Sequence, residues 1–306
     1  MKKLSFFAVV LMAMLCVGSA SALTRFTVAS YNLRYSNEED AAEGNGWSQR
    51  CPIVAQIIKF HDFEIFGTQE GLYDQLQELK AQLPGYEYIG VARDDGKKDG
   101  EHSAIFYRTD RFECMEQGNF WLSETPEKPG LGWDAACIRI CTWGHFKCKD
   151  TGFEFLFFNL HMDHVGKVAR VESAKLVQKK MAEFGSQLPA ILTGDFNVDQ
   201  RHESYAALTT TGVLKDSYEA AKLRFALNGT FNDYHPEWWS DSRIDHVFVS
   251  PSFTVERYGV LTDTYRTPAE STDRKTANGP VELRMRKYII RTPSDHYPVK
   301  VVLEHE

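Results

Sequence analysis

The chain contains several apolar, β-rich segments that stop abruptly at polar residues, and residues 191–199, ILTGDFNVD, show this pattern clearly. Side chains alternate between the two faces of a strand, so we expect Asp195 and Asn197 on one face and Phe196 in a core on the other. This arrangement presents two oxygen-bearing groups to one ligand. Because Gly-Asp and Asn are also common in turns, an ordinary turn is the alternative for this segment taken alone.

Three further segments have the same form, and two later segments carry their polar residues at or just before the start of a strand. Both faces of residues 153–160, FEFLFFNL, are apolar, as expected for a strand that is buried on both sides. Polar residues at the ends of strands that share a sheet edge lie close together, so we expect one site at that edge. The polar ends of the five segments are Asn32, Glu70, His161, Asp245 and the pair Asp295 and His296.

Two apolar stripes with helical spacing lie between the strand-like segments. Strands interleaved with helices, followed by late hairpin-like strands, predict an α/β or α+β layered fold. Residues 263–287 interrupt this pattern and predict a long polar loop or hairpin, which is either a surface excursion or a substrate-contacting loop. The first stripe is Leu72, Leu76 and Leu79; the second is Val168, Val171, Ala174, Val177, Met181 and Phe184.

Residues 1–22 have the features of a cleaved secretory signal: two lysines, an apolar run and small residues before the expected cleavage point. Lipid attachment at Cys16 is the alternative, which the bulky Met14 and Leu15 disfavour. We therefore expect export to the periplasm or the extracellular space. Residues 23–306 contain no linker, low-complexity tract or short repeat, and no apolar run long enough for a transmembrane segment, so we expect one domain.

The charge balance makes a tight, non-specific nucleic-acid binder a poor interpretation. Without Lys2 and Lys3, 33 of the 35 Lys and Arg residues remain against 42 Asp and Glu residues, which gives a formal charge of −9. Binding along a nucleic-acid backbone needs clustered basic residues, and no such cluster dominates this chain. An enzyme that holds a single scissile phosphate is still compatible with this composition.

The cysteines after residue 22 are odd in number, so at least one is left without a partner in the chain. Cys137 and Cys141 would lie about 13 Å apart along a strand, which is too far for a disulfide. Their spacing with Cys148 is a poor zinc pattern, so packing or one structural disulfide is expected. The five cysteines are Cys51, Cys114, Cys137, Cys141 and Cys148.

The polar residues at the strand ends suit a hard divalent cation. Carboxylates and carboxamides with few thiolates are typical ligands of Mg²⁺ or Mn²⁺. Histidines beside acids favour proton transfer. Together these groups predict hydrolysis of a phosphate ester, in which a metal neutralises oxygen charge and a base prepares the water.

Six motifs in order resemble the endonuclease/exonuclease/phosphatase superfamily, which includes deoxyribonucleases, sphingomyelinases and inositol-polyphosphate phosphatases. The resemblance runs from about residue 25 to the C-terminus, and FWLSETP, GWDAACIR and DHVGKVARVESA are similar to a bacterial branch near the nocturnin-like deadenylases. It implies an α+β fold, a four-layer αββα sandwich with two central, mainly antiparallel sheets. The motifs are SYNLRY, GTQE, NLHMDHVG, TGDFN, RIDHVFVS and SDHYPV.

The resemblance also implies a metal site. Glu70 would be the principal Mg²⁺ ligand, with Asn32 beside it and Asp295 as a further ligand. Mn²⁺ is an alternative ion. Members of the superfamily differ in whether one or two metal ions act, so the number stays open.

The catalytic roles implied by the resemblance fall on five residues. Asp195 and Asn197 would hold the nucleophilic water and a phosphate oxygen. His296, oriented by Asp245, would act as general base or stabilise phosphate charge. His161 would bind the scissile phosphate or assist the leaving group. Whether the aspartate or the histidine takes the proton stays open.

Other polar residues have weaker assignments. Arg93 and Arg139 are candidate substrate contacts, with surface ion pairs as the alternative. His246 is expected to pack in the core. Asp163 and His164 are expected to shape the loop that follows the NLH motif.

The preferred function is hydrolysis of a phosphodiester in a nucleic acid, a phospholipid or sphingolipid headgroup, or a phosphorylated sugar. The alternatives are a phosphomonoesterase acting on sugar or inositol phosphates and a non-catalytic surface binding protein. A metallo-β-lactamase-type zinc site is disfavoured because Asn159 stands where that motif has its first histidine. The loops at residues 93–102 and 263–287 would select the leaving group, and the oligomeric state is not predicted.

Overall fold

The computed structural model describes residues 23–185, 187–269, 278–283 and 285–306. The expected signal peptide, residues 1–22, and the alternative lipidation site Cys16 lie outside the described residues. Among the described residues, no helix combines the length and the apolar character needed to cross a membrane.

The described part of the chain forms fifteen strands and six helices. The helices are α1 (Glu38–Ala42), α2 (Trp47–Phe60), α3 (Tyr73–Gln82), α4 (Lys167–Gly185), α5 (Glu203–Thr209) and α6 (Ser217–Ala220). The strands are β1 (Thr24–Asn32), β2 (Ile65–Gln69), β3 (Tyr86–Ile89), β4 (Ile105–Arg108), β5 (Phe112–Trp121), β6 (Ile140–Cys148), β7 (Glu154–His161), β8 (Ala190–Asp195), β9 (Lys215–Asp216), β10 (Leu223–Phe225), β11 (Asp245–Val249), β12 (Thr254–Val260), β13 (Tyr265–Pro268), β14 (Tyr288–Arg291) and β15 (Val299–His305).

Two mixed, mainly antiparallel sheets form the centre of the fold. The first sheet has the strand order β10-β12-β15-β1-β2-β4-β3, and the second has the order β5-β6-β7-β8-β11-β9. Parallel pairing occurs between β1 and β2 and between β10 and β12 in the first sheet, and between β7 and β8 in the second. Strands β1 and β2 face β7 and β8, so the two sheets pack against each other.

Three apolar clusters define four layers. One cluster, including Phe26, Val301 and Phe157, fills the space between the sheets. A second packs helices α2 and α3 on the outer face of the first sheet, and a third packs α4 on the outer face of the second. The order of the layers is therefore helices, sheet, sheet, helices, which confirms the α+β sandwich implied by the sequence.

The segments predicted as strands and helices are observed in those places. All six polar-ended segments contain strands of the two sheets, and both apolar stripes fall on helices, α3 and α4. The stripe of α4 is narrower than predicted: Ala174, Val177 and Met181 are buried, whereas Val168 is 53% exposed at the start of the helix.

The region from 263 to 287 forms a hairpin-like extension at its described ends. Strand β13 pairs antiparallel with β14, outside both large sheets. Residues 270–277 and 284 lie outside the described residues. The five cysteines within the described range are all unpaired, with Cys51, Cys141 and Cys148 buried, so packing is their role here.

A buried carboxamide joins the two sheets. Asn159 on β7 donates from Nδ2 to the carbonyl oxygens of Thr68 at 2.7 Å and Ala104 at 2.9 Å, both in or next to strands of the other sheet. Its Oδ1 accepts from Gln69 Nε2 at 2.7 Å and from Thr193 Oγ1 at 3.0 Å. Only glycine fits opposite this group, because a Cβ on Gly67 would lie 2.1 Å from Asn159 Oδ1.

Asn159→Ala is expected to lower the free energy of unfolding by about 3 kcal/mol, because it leaves several buried polar groups without partners. Urea unfolding followed by circular dichroism measures this change. Asn228→Ala is the matched control, since no hydrogen bond of the Asn228 side chain is observed within the described residues. Equal stability of the two variants would contradict the role assigned to Asn159.

Candidate active site

The predicted polar residues meet at one rim of the sandwich. Strands β1, β2, β7 and β8 end there, and the antiparallel β11 and the segment before β15 begin there. A cavity of about 540 Å³ opens at this rim. Asn32 and Asp245 lie beneath it and are fully buried. The other eight predicted site residues line it: Glu70, Arg93, Arg139, His161, Asp195, Asn197, Asp295 and His296.

Asn32 connects the acidic groups of the site. Its Nδ2 donates to Glu70 Oε1 and to Asp195 Oδ2, each at 3.0 Å, and its Oδ1 accepts from the backbone N–H of Arg34 at 2.9 Å. Glu70 follows β2 in a left-handed conformation with φ of 64°, and its Oε2 accepts from the N–H of Tyr35 at 3.1 Å. The last residue of β1 therefore fixes carboxylates from both sheets.

Three residues form a group with the chemistry of a divalent-metal site. One potential ligand atom each from Glu70, Asp195 and His296 lies within 4.8 Å of the other two. Placing carboxylates close together is unfavourable unless positive charge compensates them, and the two carboxylate oxygens of this group fit a hard divalent cation. The donor set therefore fits the metal that the sequence predicted. Glu70 belongs both to this group and to the ligands implied by the resemblance.

Asp295 lies on the same cavity but is held differently. Its Oδ2 is 3.7 Å from Arg34 Nη1, and its Oδ1 accepts from Ser294 Oγ at 3.2 Å. The single hydroxyl proton of Ser294 is shared with the carbonyl oxygen of Asn32, which is the nearer acceptor at 2.7 Å. The role of Asp295 as a further metal ligand stays a prediction.

His296 and Asp245 form a buried pair. The Nδ1 of His296 lies 2.8 Å from Asp245 Oδ2, and its Nε2 lies 3.7 Å from Asp195 Oδ2. Burial alone lowers the pKa of His296, but the carboxylates of Asp245 and Asp195 outweigh it and raise the pKa well above the ordinary value. Thr230 Oγ1 accepts from the N–H of Asp245 at 3.0 Å, which fixes the strand that carries this acid.

Asn197 reaches the site through a turn rather than through strand alternation. Strand β8 ends at Asp195, and Asn197 has φ of 51°, a left-handed conformation that Asn tolerates. Its backbone N–H donates to Asp195 Oδ1 at 2.9 Å. Phe196 is buried in the core, as predicted, and both polar neighbours face the cavity.

His161 is held as a neutral imidazole. Asn197 Nδ2 lies 3.0 Å from its Nε2, which is then the acceptor, and Nδ1 lies 3.8 Å from Glu101 Oε2. Burial lowers the pKa of His161 well below its ordinary value, and the guanidinium groups of Arg139 and Arg93 lower it further.

One end of the cavity is cationic. Arg139 is 5% exposed, and within the described chain its buried Nε and Nη1 have no hydrogen-bond partner, while Nη2 lies 3.2 Å from His164 Nδ1. Its Nε is 3.6 Å from Asp163 Oδ2. Arg93 is ion-paired with Glu101 at 2.6 Å and still lines the cavity. Guanidinium groups that line a cavity are suited to an anionic ligand.

Asp163 organises the loop beside this end, as the sequence indicated. Its Oδ1 accepts from the N–H groups of Val165 and Gly166, and its Oδ2 accepts from that of Cys137. Although burial raises its pKa, these backbone donors lower the pKa of Asp163 to about 2. Asp163 therefore remains ionised and holds the chain segments around Arg139.

Seven residues that line the cavity are not identified as site residues from the sequence: Arg34, Tyr35, Glu101, Cys137, Phe231, Asp233 and Ile244. Arg34 lies within the SYNLRY motif and Glu101 at the end of the loop 93–102, so their positions offered a signal. Phe231 and Asp233 come from the irregular segment before β11. No periodic pattern in that segment points to the rim.

His246 packs in the core, as predicted. Its ring lies 5.4 Å from that of Phe196 and 5.3 Å from that of Phe248, and Nε2 is 3.2 Å from the carbonyl oxygen of Val198. Burial lowers its pKa below the ordinary value of 6.5. The folded protein therefore holds His246 in the neutral form.

This burial predicts a pH dependence of stability. The pKa of His246 is lower in the folded than in the unfolded state, so below about pH 6.5 the unfolded state binds more protons. The free energy of unfolding therefore decreases as the pH decreases. Between pH 7.5 and 5.5, the wild-type protein is expected to lose about 1 kcal/mol more than His246→Phe. Urea unfolding at both pH values measures this; equal losses would contradict it.

Comparison with known proteins relates this chain to a family. The model described as "Endonuclease/Exonuclease/phosphatase family" matches residues 29–296. A protein of that family from Bacteroides thetaiotaomicron is 62% identical, with a TM-score of 0.86, over 94% of this chain and 97% of that chain. A mannosyl-6-phosphatase from B. thetaiotaomicron VPI-5482 is 64% identical, with a TM-score of 0.85, over 91% of this chain and 99% of that chain.

More distant structures share the fold. The human nocturnin catalytic domain, solved with a bound sulfate anion, is 16% identical, with a TM-score of 0.65, over 91% of this chain and 93% of that domain. At this identity the likeness concerns the fold alone.

Proposed function

The chain belongs to the endonuclease/exonuclease/phosphatase family, and we propose that it is a metal-dependent phosphomonoesterase that acts on a sugar phosphate of the mannose 6-phosphate type. The family and the fold are those of phosphoester hydrolases. The observation that carries the finer proposal is the high identity to the B. thetaiotaomicron mannosyl-6-phosphatase across nearly its whole length. Of the two substrate classes considered from the sequence, we therefore favour the monoester over the diester.

The cationic end of the cavity supports a monoester. A terminal phosphate carries up to two negative charges and three non-bridging oxygens, whereas a diester carries one charge and two such oxygens. The guanidinium groups of Arg139 and Arg93, which line the cavity, suit the more highly charged group. Neutral His161 adds a polar contact without repelling these cations.

The acidic group suits a resident divalent cation, for which we propose Mg²⁺ or Mn²⁺. Glu70 and Asp195 would hold it, with His296 beside them and Asn32 orienting both carboxylates. When bound, such an ion neutralises charge on the phosphate oxygens during displacement.

The residues of the chain position the attacking water. Asp195 Oδ2 lies 3.5 Å from His161 Nε2 and 3.7 Å from His296 Nε2, so three polar side chains converge on one small volume. We assign Asp195 to orient the water and accept its proton. His296, fixed by Asp245 through Nδ1, presents Nε2 to the phosphate, and Asn197 fixes His161.

We also propose that residues 1–22 direct export, on the evidence of their basic, apolar and small-residue order. The substrate would then be an extracytoplasmic glycan or a free sugar phosphate. A nucleic acid is a less favoured substrate because the chain is acidic overall.

Mannose 6-phosphate and p-nitrophenyl phosphate are expected to be hydrolysed with Mg²⁺ or Mn²⁺ and not after chelation. Asp195→Ala should lower kcat/KM by about 10³-fold, the scale of a lost acid–base group. Phosphate release measures this, with Asp150→Ala, at the opposite end of β6, as the control. Full activity of Asp195→Ala, or faster hydrolysis of bis-(p-nitrophenyl) phosphate than of the monoester, would overturn the proposal.

Arg139→Met should reduce kcat/KM for p-nitrophenyl phosphate by roughly 100-fold, since charge-assisted hydrogen bonds contribute about 1.5–3 kcal/mol each. The loss should be smaller for bis-(p-nitrophenyl) phosphate, which has less charge. Arg108→Met is the control, because Arg108 is ion-paired with Asp62 and Asp110 away from the cavity. Equal losses on the two substrates would show that Arg139 does not select the monoester.

A further inference from the structure

Part of the cavity wall has a different chemistry from the arginines. This part is formed by Phe231, Ile244 and Asp233, from the segment that precedes β11. An aromatic ring and a carboxylate side by side do not suit a phosphate. They do suit the rest of a substrate whose phosphate lies at the metal-binding group.

Phe231 presents apolar surface next to the reacting groups. Its side chain is 44% exposed, and its ring centroid lies 5.0 Å from that of His296 at an interplanar angle of 70°. The backbones of these two residues also form an antiparallel bridge. A ring stacked on Phe231 would therefore lie within a few atoms of a phosphate held at His296.

Asp233 offers a carboxylate with unused acceptors. It is exposed at the cavity, and within the described parts of the chain no donor contacts its side chain. Asp233 and Tyr234 have φ of 51° and 58°, an unfavourable conformation for two consecutive non-glycine residues. Such backbone strain is often retained at functional positions.

The loop carrying both residues is fixed relative to the catalytic segment. Asn232 N–H donates to the carbonyl oxygen of Asp295 at 2.7 Å, and Tyr297 N–H donates to that of Thr230 at 2.6 Å. Asn232 Nδ2 also donates to the carbonyl oxygen of Ser294 at 3.2 Å. The distance from Phe231 and Asp233 to His296 is therefore set by backbone hydrogen bonds.

We propose that Phe231 and Asp233 form the subsite for the hexose ring of the substrate, an inference that rests on the proposed function. The C–H groups on one face of a pyranose carry partial positive charge and pack on the negative face of an aromatic ring. The hydroxyl groups of the sugar donate hydrogen bonds to carboxylates. One methylene joins the ring of a hexose 6-phosphate to its phosphate ester oxygen, which matches the adjacency of Phe231 and His296.

The test compares a cyclic and an acyclic monoester, mannose 6-phosphate and glycerol 3-phosphate. Phe231→Ala and Asp233→Asn should each lower kcat/KM for mannose 6-phosphate by about tenfold and change that for glycerol 3-phosphate by less than about twofold. Asn tolerates the left-handed conformation, so Asp233→Asn preserves the backbone. Phe231→Tyr keeps the ring and should retain the preference for the sugar.

Trp238→Ala is the matched control, since Trp238 is a 60% exposed aromatic residue on the same loop that does not line the cavity. It should leave both substrates unaffected. If Phe231→Ala lowers kcat/KM equally for both substrates, the ring only supports His296. If Phe231→Ala leaves kcat/KM unchanged, the ring contacts no sugar. Either result overturns the subsite.

A binding measurement separates this inference from the proposed function. Calorimetry measures the affinity for mannose 6-phosphate of Asp195→Ala and of the double variant that also carries Phe231→Ala. The double variant should bind mannose 6-phosphate at least tenfold more weakly than Asp195→Ala. If the wild-type protein hydrolyses no monoester, the proposed function fails. The difference in affinity for mannose 6-phosphate between the two variants still tests the subsite. Equal affinities overturn the subsite, as does absence of mannose 6-phosphate binding to Asp195→Ala under conditions in which that variant still binds inorganic phosphate.

Discussion

The carboxamide of Asn159 is the contact on which the arrangement of the molecule depends most. The proposed reaction needs groups from both sheets: Glu70 follows a strand of the first sheet, whereas His161 and Asp195 end strands of the second. The relative position of the sheets therefore sets the distances within the site. Asn159 fixes that position two residues before His161, by hydrogen bonds that cross the interface close to the rim. Apolar packing alone would hold the sheets together with less control over their register.

The site combines both signs of charge on one cavity wall. The carboxylates of Glu70 and Asp195 and the guanidinium groups of Arg93 and Arg139 all line it. His161 lines the same cavity in the neutral form, so it adds no charge. A phosphate bound in this cavity would meet these cations and a metal held by the acids, which suits charge redistribution during hydrolysis.

The sequence predicted most of the rim because strand periodicity carries the signal. Apolar runs that end in polar residues located Asn32, Glu70 and Asp195, and the ordered motifs implied the sandwich. The sequence does not predict the left-handed turn at Asn197. Alternation along a continued strand would also direct the Asn197 side chain to the cavity, so the observed position does not require the turn to be known. Asn159 was noted only as a missing zinc ligand. Its bridging role depends on which strand faces it across the sheets, and one sequence does not contain that information.

The loop that carries Phe231 is held at residues 230, 232, 295 and 297 mainly through backbone N–H and carbonyl groups. These groups are present whatever side chains the loop carries. Side chains facing the cavity from this loop are therefore able to vary while the path of the chain, and the acidic centre beside it, stay the same. In the proposed function, the fold thus separates the groups that act on the phosphate ester from the surface proposed to contact the sugar. Substitutions at residues 231 and 233 would then change which phosphorylated compound is bound while leaving the acidic centre intact.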